Sequence, residues 1–412
     1  LQEAVDMVQD GDGQVYVYGG FPGGACRESV RITGSVTLIG VGEGPNRQRP
    51  DLEAPPGACV VVSGSRARAR IVDMNIVSGA GQSCIEVNGG TLRLEGVNLN
   101  AAASGAAVVV RSGWFTAVPS GSARTWIIGG GTAVMAQSSD VVIAGSLLQT
   151  AGAFAYTPFA AIPPPGGYAP YSPGYPPLRF IDDPDAPYGG GRMPESNPWP
   201  GAAPPSHSSP APVNRWPDGT PPAGYPRPVY SQPAYTGPAY PTPPSYPAAP
   251  TLNPQPAPFS GTPVLVLEES QGVVRDSELR GGSTGIAAVI SSSRTGRDVR
   301  ISNTRILSEG GTAGVLAVGS GGWTGLPSRL IVDQNTEIAG FDTGIDLYRV
   351  GVAFNGLGVN AGSTGIRADA FASGTVYAPR VAARGRCFRV DGDGFSGDRP
   401  GRLSVSAASC SD

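Results

Sequence analysis

The hydrophobic positions of this chain recur in short valine-rich runs about every two dozen residues, and each run closes on glycine, asparagine or aspartate. One version of the repeat is mostly apolar and occurs at 59–64, 84–89, 107–113, 285–290, 314–318, 344–347, 365–368 and 387–390. A second version alternates apolar with polar residues and occurs at 70–76, 93–99, 141–147, 273–279, 300–306 and 330–338. A fixed period of short β-branched runs, with no helical pattern between them, is typical of a solenoid of strands. The sequence therefore predicts an all-β fold, a single-stranded parallel β-helix of about ten coils.

The first nine residues follow a helical period instead. The apolar residues that share one helical face are Leu1, Ala4, Val5 and Val8, and the pattern stops before the turn at 10–13. The end strands of a solenoid have open edges that would otherwise pair with other chains. The pattern therefore predicts an N-terminal capping helix on the first coil.

The order of elements at the start of the chain is also informative. After the helix and a Gly/Asp turn come an alternating run at 15–18, a Gly-rich stretch, and further runs at 28–32 and 36–42. This order resembles the opening of the right-handed parallel β-helix proteins of the pectin-lyase-like superfamily. The resemblance covers about the first 45 residues at the level of motifs, and the repeats extend it along both flanks. The superfamily includes pectate lyases, pectin methylesterases, polygalacturonases, alginate epimerases and non-catalytic surface proteins, so the resemblance implies a right-handed fold and leaves the activity open.

Between residues 161 and 263 the repeat stops and proline dominates, with most of the chain's 42 prolines in this segment. Proline cannot donate to a strand ladder, and this composition cannot build a core, so we expect an extended or disordered segment. Apolar repeats resume at 264–267, which indicates one long insertion between coils. Two separate β-helices joined by a tether are the alternative. The predicted organisation is an N-terminal half at 1–160, a Pro/Tyr-rich insertion at 161–263 and a C-terminal half with its own cap at 264–412.

Charge and composition mainly exclude certain partners and locations. The net charge is −3, and all 29 basic residues are arginine. No run of arginines forms a basic patch with interleaved aromatic residues, which argues against a nucleic-acid partner. No stretch reaches the ~20 apolar residues that span a bilayer, so no transmembrane segment is expected. The start at Leu1, without a leader sequence, indicates a processed or trimmed product.

The cysteines suggest disulfides between coils. Cys59 and Cys84 are 25 residues apart at the same place in the repeat, and Cys387 and Cys410 are 23 apart near the end. One coil places equivalent residues roughly 5 Å apart, within the Cα separation of about 4.4–6.8 Å that a disulfide requires. Both pairs are candidate bridges, with Cys26 a competitor for Cys59 and reduced, buried thiols the alternative. A bridge that staples the last coil favours an extracellular, cell-surface or periplasmic location.

Hydrolase chemistry is disfavoured because the sequence holds one histidine, His207, inside the insertion. With a single histidine in the insertion, neither a His-based catalytic triad nor a His-ligated zinc site is expected. The resemblance would imply a Gly-His-Gly motif beside clustered aspartates for a polygalacturonase, and paired aspartates in Gln-Asp-Thr-like contexts for a pectin methylesterase. Neither pattern is found.

Lyase or epimerase chemistry stays open. In pectate lyases an arginine and calcium-binding acids do this work, so the resemblance implies Asp342, Asp346 and Arg367 as catalytic candidates, with calcium as the cofactor of that activity. The non-enzymatic interpretation requires no cofactor. Asp369 and Arg349 lie in the same neighbourhood of the repeat. However, Asp346 and Arg367 occupy the same position of consecutive repeats. A surface ion pair, worth about 0–1 kcal/mol, is the simpler interpretation.

Polar residues recur after the second version of the repeat, namely Asp73, Asn75, Glu95, Asn98, Asn303, Asp333 and Asn335. Such side chains accept backbone hydrogen bonds and tolerate left-handed backbone, so we expect them to fix turns and to stack as ladders.

Aromatic side chains are the candidates for binding. They are Trp323, Tyr348, Tyr235 and Tyr240. The two insertion tyrosines lie in Pro/Tyr tracts, which hold rings at intervals and suit weak multivalent contact with a polysaccharide or a partner's aromatic groove. An inert spacer is the alternative for these tracts. For Trp323 the alternative is that its indole fills the coil interior. For Trp114 and Trp126 we expect the indole to lie in the interior.

Together these features predict a secreted or surface-exposed protein. We expect a structural, adhesin-like or polysaccharide-binding module without hydrolase activity. The alternatives are a calcium-dependent lyase or epimerase acting on uronate-containing glycans, and a structural component of a surface filament or envelope assembly. The expected partners are polysaccharides or other surface and envelope proteins.

Overall fold

The computed structural model describes residues 1–19, 26–42, 49–53, 57–78, 83–101, 105–151, 261–291, 297–320, 328–369, 371–391 and 403–411. Of the predicted insertion, only its last three residues fall within these ranges. The predicted binding residues Trp323, Tyr235 and Tyr240 lie outside the described residues.

Each coil contains three strands in a fixed order, which we call the front, middle and rear strands. The middle strands form one twelve-stranded sheet: β1 (Gly13–Tyr18), β3 (Ser35–Val41), β6 (Arg68–Val72), β9 (Thr91–Glu95), β12 (Trp114–Val118), β15 (Asp140–Ala144), β18 (Gln271–Arg275), β21 (Val299–Ser302), β23 (Arg329–Val332), β25 (Gly351–Asn355), β27 (Ser373–Tyr377) and β30 (Leu403–Ser406). Twelve middle strands mean that the helix is somewhat longer than the ten coils that the repeats predict.

The front and rear strands belong to a second sheet. The front strands are β2 (Val30–Ile32), β5 (Val60–Ser63), β8 (Ile85–Asn88), β11 (Ala106–Arg111), β14 (Thr132–Gln137), β17 (Pro263–Glu268), β20 (Thr284–Ser291) and β29 (Arg386–Asp391). The rear strands are β4 (Asp51–Glu53), β7 (Asn75–Val77), β10 (Asn98–Ala101), β13 (Trp126–Gly129), β16 (Leu147–Thr150), β19 (Glu278–Arg280), β28 (Arg380–Ala383) and β31 (Ser409–Ser411). Three long strands contain a rear strand and the following front strand: β22 (Arg305–Ser320), β24 (Glu337–Tyr348) and β26 (Gly358–Asp369).

All strand ladders within the described residues are parallel, and equivalent residues align one coil apart, as Asn98 does with Asn75 and Trp126. The coils before and after residues 152–260 are direct neighbours, because β15 pairs with β18 and β16 with β19. The fold is the predicted parallel β-helix.

The interior is a continuous column of apolar side chains. Along the front strands the inward row is at most 1% exposed and contains Val60, Ile85, Val108, Val134, Leu265, Ile286, Val315, Ile345 and Ile366. Burying one such side chain stabilises the fold by about 1.5–3 kcal/mol. Alternation along each strand then places the intervening residues on the outer side of the coil.

Some of the predicted polar residues lie in turns, whereas Asn75, Glu95 and Asn98 lie at the ends of strands β7, β9 and β10. Asp73, Asn303 and Asn335 adopt positive φ angles of 50°, 43° and 63°, a backbone region that Asn and Asp tolerate better than other side chains. The predicted stacking is also present. The amide of Asn98 donates to Asn75 (3.0 Å), and the amide of Asn75 donates to Asp51 (2.8 Å).

The predicted capping helix is confirmed as α1, Gln2–Val8, followed by a 3-10 turn at Gln9–Gly11. Val5 is fully buried against the column. The side-chain oxygen of Gln2 accepts a hydrogen bond from Arg31 N (2.6 Å), and that of Gln9 accepts from Thr33 N (3.0 Å). The cap therefore covers apolar surface and satisfies backbone donors of the first coil.

One predicted disulfide forms and one does not. Cys387 and Cys410 are bonded, with a Cα separation of 5.9 Å. Cys59 and Cys84 remain thiols and are fully buried, so the second predicted bridge is absent from the structure. The Cys84 thiol donates weakly to Ile76 O, and hydrogen bonding with Cys59 together with burial raises its pKa. Disulfide formation proceeds through the thiolate, which this environment disfavours.

The remaining cysteine is half-buried Cys26, whose Sγ lies 3.1 Å from Glu28 Oε1. Burial, followed by the bond to Glu28, raises the pKa of this thiol to about 11. Cys26 is a free thiol in the structure and forms no bridge to Cys59.

Candidate functional site

The predicted residues Asp346, Tyr348 and Arg367 meet on the outer surface of the front face. Asp346 and Tyr348 lie on β24, and Arg367 lies beside Asp346 on β26 in the parallel register. Their inward neighbours Ile345 and Ile366 are buried in the column. Because alternate residues of a strand face opposite sides, the apolar repeat that fills the interior also directs these polar side chains outward.

These three side chains form a closed network. Arg367 donates from Nε to Asp346 Oδ1 (2.8 Å), and its Nη2 contacts both Asp346 Oδ2 and the Tyr348 hydroxyl. The Tyr348 hydroxyl in turn donates to Asp346 Oδ2 (3.3 Å). The Arg367 guanidinium also lies 5.7 Å from the centre of the Tyr348 ring, within cation–π range. The ion pair across the ladder is therefore present, in bidentate form.

The electrostatics of the network keep both donors protonated. The hydrogen bond to Asp346 raises the pKa of Arg367 above its usual value, although burial opposes this. Burial, followed by the charge of Asp346, raises the pKa of Tyr348. In this arrangement neither group is a ready proton acceptor, and both hold the site in one geometry.

The adjoining corner carries a more accessible pair. Arg349 is exposed, has a positive φ of 53°, and places its guanidinium 5.4 Å from the centre of the Phe371 ring. Asp369 Oδ1 accepts hydrogen bonds from the backbone N–H groups of Arg349 (2.9 Å) and Phe371 (3.1 Å). The Asp369 carboxylate thus fixes the backbone at both members of the stacked pair, Arg349 and Phe371. We call the residues Asp346, Tyr348, Arg349, Arg367, Asp369 and Phe371 the C-terminal cluster.

The remaining predicted catalytic residue does not join this cluster. Asp342 is exposed and precedes Asp346 by four residues on β24, roughly 13 Å at 3.3 Å per residue. Both oxygens of Asp346 already bind Arg367, and Asp369 accepts two backbone donors. Within the described residues, no group of three His, Cys, Asp or Glu side chains could hold a metal ion. Asp342 therefore lies apart from Asp346 and Asp369 along the chain, and calcium binding by these aspartates stays a prediction.

Several exposed aromatic residues of the structure were not predicted from the sequence. Phe371 is 39% exposed, and no repeat signals it because it lies in a turn after β26. The expectation for Trp114 and Trp126 is wrong: they are 38% and 46% exposed and face outward from β12 and β13. Their inward neighbours Phe115 and Ile127 fill the column instead. Strand alternation would have given this result once the register was known.

The front face changes character along the helix. Next to the C-terminal cluster its outer positions are apolar: Val266 and Ala287 are buried, with Met135, Val289, Leu316 and Val318 packed around them. Leu316 aligns with Asp346 and Val318 with Tyr348. The charged and aromatic groups of the cluster are therefore confined to the C-terminal coils of this face.

No helix in the described part of the chain is long and apolar enough to span a bilayer. Neither a protein-family model nor a curated protein matches the sequence.

Two solved structures are similar to the whole chain. One is the catalytic unit of a thermostable GH87 α-1,3-glucanase from Streptomyces thermodiastaticus strain HF3-3, with 11% identity and a TM-score of 0.38. The other is the tailspike protein of E. coli bacteriophage HK620 in complex with a pentasaccharide, with 11% identity and a TM-score of 0.32. This chain spans 65% and 62% of their lengths. The fold is defined by the strand pairing of this chain itself: it is a parallel β-helix.

Proposed function

We propose that this protein is a polysaccharide-binding module that contacts acidic glycans through the C-terminal cluster and does not cleave them. The observation that carries the proposal is the Arg349–Phe371 pair, an exposed guanidinium stacked on an exposed ring. A guanidinium binds a carboxylate through two parallel hydrogen bonds. The part of the Phe371 ring that the guanidinium leaves exposed can pack against the apolar side of a sugar ring. Together the two groups match one uronate unit.

The neighbouring network supports binding rather than catalysis. A lyase or epimerase needs a group that takes a proton from carbon, and the ideal pKa of such a base lies near the working pH. The hydrogen bond to Asp346 raises the pKa of Arg367, and the guanidinium donates hydrogen bonds to Asp346 and Tyr348. Arg367 is therefore not available as a base. In this proposal, Arg367 fixes the positions of the Tyr348 ring and the Asp346 carboxylate next to Arg349.

The disulfide supports an exported location. Cys387–Cys410 joins the last front and rear strands, and such bonds persist mainly in oxidising compartments. An extracellular, cell-surface or periplasmic module would meet polysaccharides directly.

Affinity electrophoresis in gels containing polygalacturonate or alginate tests the proposal. We expect the protein to be retarded, and Arg349→Ala to weaken retention about tenfold, the loss of roughly one charge-assisted contact. Phe371→Ala should weaken retention by a similar factor, because it removes the ring that packs against the sugar. Arg66→Ala removes an exposed arginine from the opposite flank and Tyr18→Ala an exposed ring from β1. These matched controls should bind as the unaltered protein does.

A parallel assay follows absorbance from unsaturated products, with and without calcium. Appearance of such products, abolished by Arg367→Ala, would replace the binding function with a lyase. Absence of retention by either polymer, or retention that Arg349→Ala leaves intact, would remove the proposed site.

A further inference from the structure

A second surface, on the rear face of the C-terminal coils, forms an open groove of about 520 Å³. Its floor and walls come from four successive coils, on β24, β26, β28 and β31. The polar residues that line it are Asn335, Thr336, Glu337, Asn360, Arg380, Ser409 and Ser411. This volume lies within the range of small-ligand sites.

The groove exists because one outward position lacks a side chain. Glu337, Gly358 and Arg380 align in the parallel register, with Gly358 in the middle. A Cβ added at Gly358 would meet one described atom within 4 Å, the carbonyl oxygen of Thr336 at 3.7 Å. The missing side chain therefore leaves a gap between two charged neighbours.

The gap separates these neighbours by two coils, or about 10 Å at a strand spacing of about 4.8 Å. Within the described residues, Glu337 and Arg380 form no ion pair with each other. Glu337 is instead oriented by Arg305, whose Nε lies 3.3 Å from Glu337 Oε2. A ligand resting on Gly358 would reach the carboxylate on one side and the guanidinium on the other.

The chemistry of the lining favours a neutral ligand rich in hydroxyl groups. Asn360, Ser409 and Ser411 both donate and accept hydrogen bonds, as sugar hydroxyls do. The apolar lining residues Val359 and Val381 are buried. An anionic sugar would gain from Arg380 but would place its charge near Glu337, whereas a neutral sugar has no such conflict.

We propose that this rear groove binds a neutral sugar unit, as a second glycan site distinct from the C-terminal cluster. The inference rests on the proposed function, because it adds a contact for neutral residues to a module that binds acidic ones. The two sites lie on different faces of the same coils, so one protein could hold two chains or two stretches of a mixed polysaccharide.

Substitution Gly358→Leu tests the groove, because it fills the gap where the structure leaves open space. The matched control is Gly105→Leu, at an exposed glycine of another coil that has nothing within 4 Å of an added Cβ. The probes are dextran, galactomannan and a β-glucan in affinity gels. We expect at least one to retard the protein, Gly358→Leu to weaken this at least tenfold, and Gly105→Leu to leave it unchanged.

A milder variant, Arg380→Gln, should weaken binding of the neutral probe several-fold. It keeps the test valid if Gly358→Leu does not fold. Circular dichroism would reveal such a folding defect. Arg349→Ala should leave neutral binding intact, and Gly358→Leu should leave retention by polygalacturonate intact. If no neutral probe retards the protein, or if neither groove variant weakens it, the second site is wrong while the acidic site stands. Retention by a neutral probe, without retention by either acidic polymer, would support the groove and contradict the acidic site.

Discussion

The first and the last coil that the structure describes are stabilised in different ways. At the N-terminal end α1 covers the column, and the inward residues Val30 and Ile32 of the first coil are fully buried. At the C-terminal end, Val390 and Val405 continue the inward rows of Ala368 and Val376 but are 51% and 39% exposed. The last coil is held instead by the Cys387–Cys410 disulfide.

This difference shows two physical solutions to fraying. A capping helix stabilises an end by removing apolar surface and backbone donors from water. A disulfide stabilises it by restricting the unfolded chain, without requiring that the end be covered. Among the described residues, the coils that carry both proposed binding sites are held by this disulfide, and Val390 and Val405 stay partly exposed.

Removal of the disulfide should have the largest effect. The double variant Cys387→Ser/Cys410→Ser should lower the free energy of unfolding of the terminal coils by about 3 kcal/mol, the usual cost for a loop of this size. Hydrogen exchange would show faster exchange of β29 and β31 with little change in β1 and β3. Equal acceleration at both ends would mean that the helix unfolds as one cooperative unit, and the contrast between the ends would fail.

Truncation in the cap should come next. Val5→Ala should lower the free energy of unfolding by about 2 kcal/mol, from lost burial and the cavity left behind. Chemical denaturation would measure it, with faster exchange in β1 and β3. Met7→Ala, at a position 73% exposed on the same helix, is the control and should change little. If both variants behave alike, α1 contributes no packing.

The smallest expected change in stability comes from an ion pair in the coils before residue 152. Glu95 binds Arg70 and Arg93 across the middle face. Burial alone would raise its pKa, but the hydrogen bonds from Arg70 and Arg93 outweigh this and lower it. A lowered folded pKa gives stability that is present above the unfolded value of about 4.3 and is lost as pH falls through the folded one.

Glu95→Gln should therefore cost about 1 kcal/mol at pH 7 and progressively less in acid. Denaturation curves at several pH values measure this. Glu3→Gln, at an exposed position of α1, is the control. A difference between Glu95→Gln and the unaltered protein that does not shrink on acidification would contradict the stabilising role of the ionised pair.

Several features could be predicted because they depend on local period alone. The repeat predicts the parallel coils, the apolar face of the first residues predicts α1, and the 23-residue spacing predicts the Cys387–Cys410 bridge. The same reasoning fails for Cys59 and Cys84, which have nearly the same spacing. There the thiols lie in the filled interior with backbone carbonyls as acceptors.

The functional surfaces were less predictable. Asp346 and Arg367 could be paired from their positions in the repeat, but the stacking of Arg349 on Phe371 depends on two corners whose turns differ in length. Gly358 resembles any turn glycine in the sequence, and its role as the floor of a groove follows only from its neighbours one coil before and after.

What the sequence by itself determined is the column: burial of apolar side chains at a constant period requires coils of constant rise, whatever the surface residues are. What only the tertiary structure decided is which outward residues become neighbours. Outward contacts join residues one coil apart through register and corner geometry, and a change of one residue in a turn moves them without disturbing the interior.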